Sequence, residues 1–231
     1  MKVCAVVGVG PGNGAAIARR FAKGGFAVAL LARSTDYGEQ VAAGLRNARA
    51  YACDASDPAA VERTFERIAT DLGDVDVLVY NAGSGSWGSV EEIDATAFEQ
   101  SWRVNALGAL VASRQVIPAM KRQGSGTIVF IGATASRRGM AKTAAFAPAK
   151  AAQRSLAESM ARHLGPSGIH VAVVIIDGVV DLPRTRKGMP DRPDAFFVKP
   201  DAVADTVWQL STQDRSAWSF EVDARPFCER W

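Results

Sequence analysis

Cysteine and histidine are scarce in this chain, which narrows the chemistry open to it. The 231 residues include three cysteines and two histidines. Cys4, Cys53 and Cys228 stand far apart and show no metal-ligand spacing, so we expect no metal site and a reducing, cytoplasmic location. His163 falls in a helical pattern and His170 begins a strand pattern, so neither histidine is expected to be catalytic.

The chain also lacks long apolar runs and a large excess of charge of either sign. No stretch reaches 18 apolar residues, so we expect no membrane contact through a spanning helix. The apolar start of the chain is short and ends in glycines, which argues against a signal peptide. The formal net charge is only +3 and the basic residues are scattered, so nucleic acid is not an expected partner. We expect a small-molecule substrate instead.

Short apolar runs alternate with helical patterns along the chain. Six runs rich in Val, Ile, Leu and Ala read as strands, at residues 2–8, 26–32, 48–53, 75–80, 126–132 and 169–176. They are nearly continuous, as in strands covered on both faces of a parallel sheet. A seventh strand is indicated near the end of the chain, where Trp218, Phe220 and Val222 alternate. The pattern predicts a single α/β domain over residues 1–231, with a doubly wound, mostly parallel seven-stranded sheet flanked by helices.

Three segments between the strands carry further predictions. Residues 94–124 and 142–165 read as long helices, with Pro148 in the first turn of the second one. Residues 177–200 are rich in proline and charge and show weak periodicity. We therefore expect a substrate lid around residues 178–198.

A glycine-rich loop joins the first predicted strand to the first predicted helix. Gly8, Gly12 and Gly14, with Asn13 between the last two, lie in the stretch "VVGVGPGNGAA". Glycines let a backbone approach a pyrophosphate closely, and the positive end of a helix holds its charge. At this place in a βαβ unit the loop predicts dinucleotide binding, as in a Rossmann fold.

The residues after the second strand indicate which dinucleotide is bound. A site for NAD usually carries an acidic residue here, which binds the ribose 2′-hydroxyl. Arg33 and Ser34 occupy this place instead. An arginine suits a 2′-phosphate through a charge-assisted contact, so the sequence favours NADP(H) over NAD(H).

In these and other motifs the chain resembles the short-chain dehydrogenase/reductase family along essentially its whole length. The family spacing Gly-x-x-x-Gly-x-Gly is met by the three loop glycines. "CDASD" resembles the family's acidic turn, so the resemblance implies that Asp54 contacts the adenine ring. "YNAG" resembles the family's Asn-Asn-Ala-Gly, and "VNALGAL" resembles its active-site helix. The residues implied by these last two motifs are Asn81, Ala82 and Gly83 at the cofactor and Asn105 at the active site.

The departures from the family pattern fall at its chemical centre. Ala133 stands where the family keeps a serine, and Phe146 stands where it keeps a tyrosine. Lys150 remains, and the resemblance implies that it binds the cofactor ribose. In the family the tyrosine hydroxyl donates a proton to the developing oxyanion, and loss of such an acid typically costs about 10²–10⁴ in rate. Turnover by the usual mechanism is therefore expected to be very slow.

Three side chains are candidates for the missing proton donor. Thr134 lies next to the vacant serine position and carries a hydroxyl. Asp177 follows the sixth strand, at the edge of the sheet where ligands bind, and burial would raise its pKa. Lys150 itself becomes an acid if it is desolvated. The sequence leaves these alternatives open.

Two functions are compatible with this pattern. The first is an NADP-dependent oxidoreductase of the short-chain dehydrogenase/reductase type with altered catalytic residues, acting on a small apolar carbonyl or conjugated substrate. The alternative is a catalytically impaired nucleotide-binding pseudoenzyme with a sensing or scaffolding role. The side chains expected to line an apolar pocket are Trp87, Met140, Phe146, Val179, Met189, Phe196 and Phe197.

Oligomeric state is an expectation from the resemblance. The helices around Asn105 and Lys150 are similar to family helices that pack into dimers and often tetramers, so we expect a homodimer or homotetramer. Exposed Phe227 and Trp231 at the end of the chain would add a subunit contact. A tail folded onto its own core explains these two aromatic residues equally well.

Overall fold

A seven-stranded sheet lies at the centre of the computed structural model, which describes residues 1–229. Trp231, and the subunit contact expected of it, lie outside the described residues. The sheet order is β3-β2-β1-β4-β5-β6-β9, and all six strand pairs are parallel. Its strands are β1 (Val3–Val7), β2 (Ala27–Ala32), β3 (Ala48–Ala52), β4 (Val77–Tyr80), β5 (Gly126–Ala133), β6 (Ile169–Ile176) and β9 (Glu221–Ala224). The predicted doubly wound α/β fold is confirmed.

Helices cover both faces of the sheet. The longer helices are α1 (Asn13–Lys23), α2 (Asp36–Ala43), α3 (Pro58–Asp71), α4 (Ala95–Trp102), α5 (Gly108–Gln123), α6 (Phe146–Leu164) and α8 (Pro200–Ser211). Buried side chains of α3, α5 and α6 pack on one face, and those of α1 and α8 pack on the other. Alternate residues of each strand enter the two cores, which is why the strands are apolar almost without interruption.

The sheet reverses its winding between β1 and β4. In sheets of this type ligands bind outside the carboxyl ends of the strands, at the point where the order reverses. Here that crevice lies between the loop after β1 and the turn after β4.

Residues 95–123 form one helical stretch, but it is interrupted. A π-helical turn at Arg103–Leu107 separates α4 from α5. π-Turns insert a residue into a helix and occur frequently at functional sites. The predicted long helix over residues 94–124 is therefore present, but its pattern did not indicate the π-helical turn, which contains Asn105.

Two predicted element boundaries needed correction. Helix α6 begins at Phe146 and not at residue 142, and Pro148 lies in its first turn, where no backbone N–H is required. Strand β9 begins at Glu221, after Trp218 and Phe220, and the Trp218 ring stacks on His170 with centroids 4.8 Å apart. His170 also contacts the carbonyl oxygens of Leu210 and Ser219 at 3.0 and 2.9 Å, so it is a packing residue.

The segment predicted as a lid contains short elements of its own. Strand β7 (Val179–Val180) pairs in parallel with β8 (Phe197–Val198), and helix α7 (Pro183–Gly188) lies between them. Arg186 holds the segment together through ion pairs with Asp181 and Asp194.

Within residues 1–229, no helix is both long enough and apolar enough to cross a membrane.

Candidate active site

The glycine loop after β1 and the turn after β4 lie in direct contact. Gly8 has φ +93°, and a Cβ placed on it would lie 2.5 Å from the backbone N and Cα of Ala82. Asn81 Nδ2 donates a hydrogen bond to Gly8 O at 2.7 Å. A Cβ on Gly14 would lie 2.5 Å from the same Gly8 oxygen. Glycine is therefore required at both positions, and the two loops hold each other in place.

The amino end of α1 has the properties of a phosphate cradle. The cap residue Gly12 supplies no side-chain hydrogen bond, and the first turn holds no acidic residue. Asn13 Oδ1 is buried and has no hydrogen-bond partner within residues 1–229, and as an acceptor it would meet a donor group of a ligand and not the phosphate oxygens. Unpaired amino-terminal N–H groups and the helix dipole favour a bound anion. These residues fit the pyrophosphate of a dinucleotide.

Arg33, Ser34 and Asp54 come together at the carboxyl ends of β2 and β3. Arg33 and Ser34 are exposed, and the Ser34 hydroxyl accepts a hydrogen bond from the Asp36 amide at 3.3 Å. Asp54 Oδ1 accepts hydrogen bonds from the Ser56 amide and hydroxyl at 2.9 and 2.8 Å. These bonds, with a smaller effect of the Arg33 charge, lower the pKa of Asp54. Asp54 is therefore an ionised group at the same end of the crevice as Arg33.

Lys150 and Asn105 are buried side by side near Gly83. Lys150 Nζ donates to Ile131 O at 2.8 Å and to Gln153 Oε1 at 3.1 Å. Burial lowers the pKa of Lys150 from 10.5 to about 7. Asn105 Nδ2 donates to the Ser84 and Ser101 carbonyl oxygens, whereas its buried Oδ1 has no hydrogen-bond partner in the described chain.

The space beside Gly83 is bordered by both of these side chains. A Cβ placed on Gly83 would lie 3.5 Å from Asn105 Oδ1 and 3.7 Å from Lys150 Nζ. One face of this space thus offers a hydrogen-bond acceptor and the other a donor. It suits a polar group of a ligand, and it lies directly after the turn that touches the glycine loop.

Phe146 and Ala133 present no hydroxyl near Lys150. The centroid of the Phe146 ring lies 6.0 Å from Lys150 Nζ. The ring also packs against Trp87, with centroids 5.3 Å apart. The backbone amide of Ala133 donates to Ser136 Oγ at 3.1 Å, so this buried serine hydroxyl closes its own turn.

Thr134 and Asp177 form a separate pair after the adjacent strands β5 and β6. Thr134 Oγ1 donates to Asp177 Oδ1 at 2.6 Å, and Asp177 Oδ2 lies 3.8 Å from Arg225 Nη1. The Thr134 proton is therefore engaged by a carboxylate that itself has a cationic neighbour. No contact joins this pair to Lys150 in the described part of the chain.

The residues expected to line an apolar pocket fall into two groups. Trp87 packs on Phe146, next to the space at Lys150, and remains 68% exposed. Phe197 is buried and pairs with Val179 between strands β8 and β7. The guanidinium carbon of Arg186 lies 4.1 Å from the centroid of the Phe197 ring. The second group thus packs within the segment predicted as a lid, while the first borders the site.

The sequence did not single out Gln153, which the structure places in the site. Its side chain is 1% exposed and contacts both Lys150 Nζ and Asn105 O. A signal was present in the sequence, because helical periodicity puts position 153 on the same buried stripe as Lys150 and Ala157.

Within residues 1–229, no group of three or more His, Cys, Asp or Glu side chains is placed to hold a metal ion.

Comparison with known proteins relates this geometry to one family. A family model described as short chain dehydrogenase matches residues 2–191. The chain is 32% identical over 181 residues to 3-oxoacyl-[acyl-carrier-protein] reductase MabA of Mycobacterium tuberculosis, covering 78% of this chain and 70% of that protein. It is 35% identical over 119 residues to 3-dehydrosphinganine reductase of Danio rerio, covering 52% of this chain and only 36% of that protein. The match thus spans about a third of the longer relative.

Solved structures share the whole fold. A short-chain dehydrogenase from Rhodopseudomonas palustris aligns with a TM-score of 0.84 at 34% identity, covering 98% of this chain and 99% of that one. A metagenomic short-chain oxidoreductase in complex with NADP aligns with a TM-score of 0.84 at 29% identity, covering 99% and 98%. The chain therefore shares the fold of these two proteins over nearly its whole given length.

Gly8→Ala tests the contact between the glycine loop and the turn after β4. The new Cβ meets rigid backbone at a positive φ, so we expect the unfolding free energy to fall by about 1–3 kcal/mol from backbone strain alone. Gly10→Ala is the matched control in the same loop, because a Cβ there meets nothing within 4 Å. Urea unfolding of the two variants measures the difference, and equal stabilities would contradict the contact.

Lys150→Met tests the burial of the amine. The folded-state pKa is about 7 and the ordinary value 10.5, so between these values the unfolded chain holds a proton that the folded chain releases. Stability therefore rises with pH in this window, and the destabilising effect of Lys150 is greatest below it. We expect the Met variant to be more stable than wild type by on the order of a few kcal/mol near neutral pH, with the difference shrinking toward pH 10.

Urea unfolding at a series of pH values measures this difference. Exposed Lys142→Met is the control and should show no such pH dependence. A difference between Lys150→Met and wild type that stays constant with pH would contradict the shifted pKa.

Proposed function

Because this chain belongs to the short-chain dehydrogenase family, we propose that it is an NADP(H)-dependent oxidoreductase with altered catalytic residues. Its substrate is a small apolar carbonyl or conjugated compound. The observation that carries the proposal is the buried Lys150 amine, which borders a polar space beside the glycine cradle. Burying an ionisable amine costs free energy, and groups with strongly shifted pKa values cluster at functional sites.

The cofactor is held by residues of three strand ends. The Gly8–Gly14 loop and the amino end of α1 would bind the pyrophosphate, and Asp54 would contact the adenine. Arg33 binds the 2′-phosphate, and within residues 1–229 it makes no ion pair closer than 4.0 Å that would compete. Asn81 and Ala82 hold the loop in place, while Lys150 and Asn105, which border Gly83, would bind the ribose. When bound, the nicotinamide supplies or accepts the hydride. The similar oxidoreductase in complex with NADP supports this choice of cofactor.

Lys150 is the proposed source of the proton. Reduction of a carbonyl adds a hydride to carbon and a proton to oxygen, and neither Phe146 nor Ala133 carries a proton to give. The Thr134 hydroxyl is directed at Asp177, so it is not free to donate to a substrate as arranged. A pKa of about 7 leaves the Lys150 amine partly protonated at neutral pH. Its ammonium form releases one proton and takes it back from water after turnover.

The apolar substrate class is supported by the surroundings of the amine. The Phe146 ring and the exposed Trp87 ring form an aromatic wall next to it. A Cβ on Gly85 would lie 2.9 Å from the Phe146 ring, so the wall is closely packed behind as well. Apolar walls with few polar groups are typical of small-molecule sites.

A nucleotide-binding pseudoenzyme with a sensing or scaffolding role is the second candidate. It is favoured by one observation, the absence of a hydroxyl at both Phe146 and Ala133. In that case the cradle would bind NADPH, and Lys150 would serve only the ribose.

Turnover separates the two candidates. NADPH oxidation is followed against aldehydes, ketones, quinones and enoyl thioesters, with wild type, Lys150→Met and the exposed control Lys142→Met. We expect turnover by wild type and by the control, and a fall of kcat/KM of at least about 10²-fold in Lys150→Met, because a positioned acid contributes about that much. Tight NADPH binding with no turnover on any class would support the pseudoenzyme.

Arg33→Gln tests the choice between the two dinucleotides. A hydrogen bond to a charged group is worth about 1.5–3 kcal/mol, so the NADPH Kd should rise by roughly 10- to 150-fold while the NADH Kd changes little. Arg46→Gln is the control, because this exposed arginine precedes β3 and so lies at the amino end of the strands, away from the cofactor crevice. Fluorescence titration gives both constants, and equal weakening for both nucleotides would contradict the 2′-phosphate contact.

A further inference from the structure

A buried glutamine links the two parts of the candidate site that come from different helices. Gln153 lies on α6, three residues after Lys150, and is 1% exposed. Its Oε1 accepts a hydrogen bond from Lys150 Nζ at 3.1 Å, and its Nε2 donates one to the backbone oxygen of Asn105 at 2.9 Å. The Asn105 carbonyl oxygen can only accept, so the amide nitrogen must face it, and the amide oxygen then faces Lys150 Nζ.

The π-helical turn receives a second side-chain donor at the preceding residue. Tyr80 OH, from the end of β4, donates to Val104 O at 2.5 Å. Two consecutive carbonyl oxygens of the turn, at Val104 and Asn105, are thus held from the sheet and from α6. These two contacts fix the backbone of the turn, and the hydrogen bonds from Asn105 Nδ2 to the Ser84 and Ser101 oxygens fix the orientation of the free Oδ1.

The surroundings of Lys150 Nζ are uncharged on every side. The groups that face it come from β5, from the turn after β4, from the π-helical turn and from α6 itself. They are Ile131 O, Gly83, Asn105, Gln153 and the Phe146 ring. No charged side chain in residues 1–229 contributes to the pKa of this lysine, which is lowered by burial alone. A neutral amide at position 153 preserves this condition, whereas a carboxylate would remove it.

We propose that Gln153 is a positioning residue, which ties Lys150 to the π-helical turn and keeps the amine in a neutral hydrogen-bonding environment. The proposed role of Gln153 rests on the proposed function, because it assumes that Lys150 takes part in the reaction. Through Gln153 the donor at Lys150 and the acceptor at Asn105 keep a fixed separation across the space at Gly83. The residue acts through its neighbours and makes no contact with the substrate.

Gln153→Glu is the informative substitution. At a pH where the new side chain is ionised, a carboxylate about 3 Å from Nζ stabilises the ammonium form, so the pH midpoint assigned to Lys150 should rise by at least about one unit. At lower pH the protonated carboxyl can donate and accept as the amide does, so wild-type behaviour should return. The shift shows that the side chain at position 153 faces the amine, and the Leu and Asn variants below test whether its amide positions Lys150 and the π-helical turn.

The first readout does not depend on activity. The pH dependence of unfolding is measured for each variant relative to the same variant carrying Lys150→Met, which isolates the titration of Lys150. We expect the upward shift in Gln153→Glu and none in Gln115→Leu, a control whose side chain bonds only to Val111 O of its own helix. An unshifted midpoint in Gln153→Glu would overturn the proposal, whatever the enzyme does.

The second readout is the pH profile of kcat on any substrate that wild type turns over. Gln153→Leu, which leaves Asn105 O without its donor, should lower kcat by about tenfold or more with little change in KM for NADPH. Gln153→Asn tests rescue and should remain impaired, because its shorter amide cannot span both partners. Wild-type kcat in the Leu variant would also overturn the proposal. A wild type without turnover would count against the proposed function only, since the unfolding measurement still decides the role of Gln153.

Discussion

The burial of one amine without a counter-charge is the constraint on which the site depends. Removing a lysine from water is unfavourable unless its donors are satisfied. Here Lys150 Nζ donates hydrogen bonds to two acceptors, the backbone oxygen of Ile131 on β5 and the side-chain amide oxygen of Gln153 on α6. Both elements must therefore be in place before the amine can be accommodated. The lowered pKa of Lys150 is the direct result of this arrangement.

The glycine loop and the lysine are joined through the turn after β4. Asn81 and Ala82 contact Gly8, and the next residue, Gly83, borders Lys150 and Asn105. A short stretch of backbone thus connects the phosphate cradle with the buried amine. This continuity explains why the small residues at positions 82 and 83 matter, since a larger side chain at position 83 would fill the space that the two polar groups share.

The sequence predicted those parts of the fold and site that are encoded locally. Strands such as Ile169–Ile176 are apolar throughout because both faces are covered, and the glycine loop has a spacing that can be recognised without the structure. The π-helical turn, the start of α6 at Phe146 and the stacking of Trp218 on His170 depend on contacts between distant segments, so local patterns did not reveal them. The same is true of Gln153, whose importance arises from Asn105, 48 residues away along the chain.

The strand order has a consequence for how the chain acquires its structure. Strand β1 lies in the middle of the sheet, between β2 and β4, so Cys4 can pair with Val77 only after more than seventy further residues have been made. β9 is the last strand along the chain, and it pairs with β6 across the whole segment predicted as a lid. Parallel sheets with such distant pairings close large loops before they gain contacts, which slows folding and leaves edges exposed on the way. Assembly of this protein is thus governed by the search for non-local partners, and the amino-terminal third cannot complete its sheet by itself.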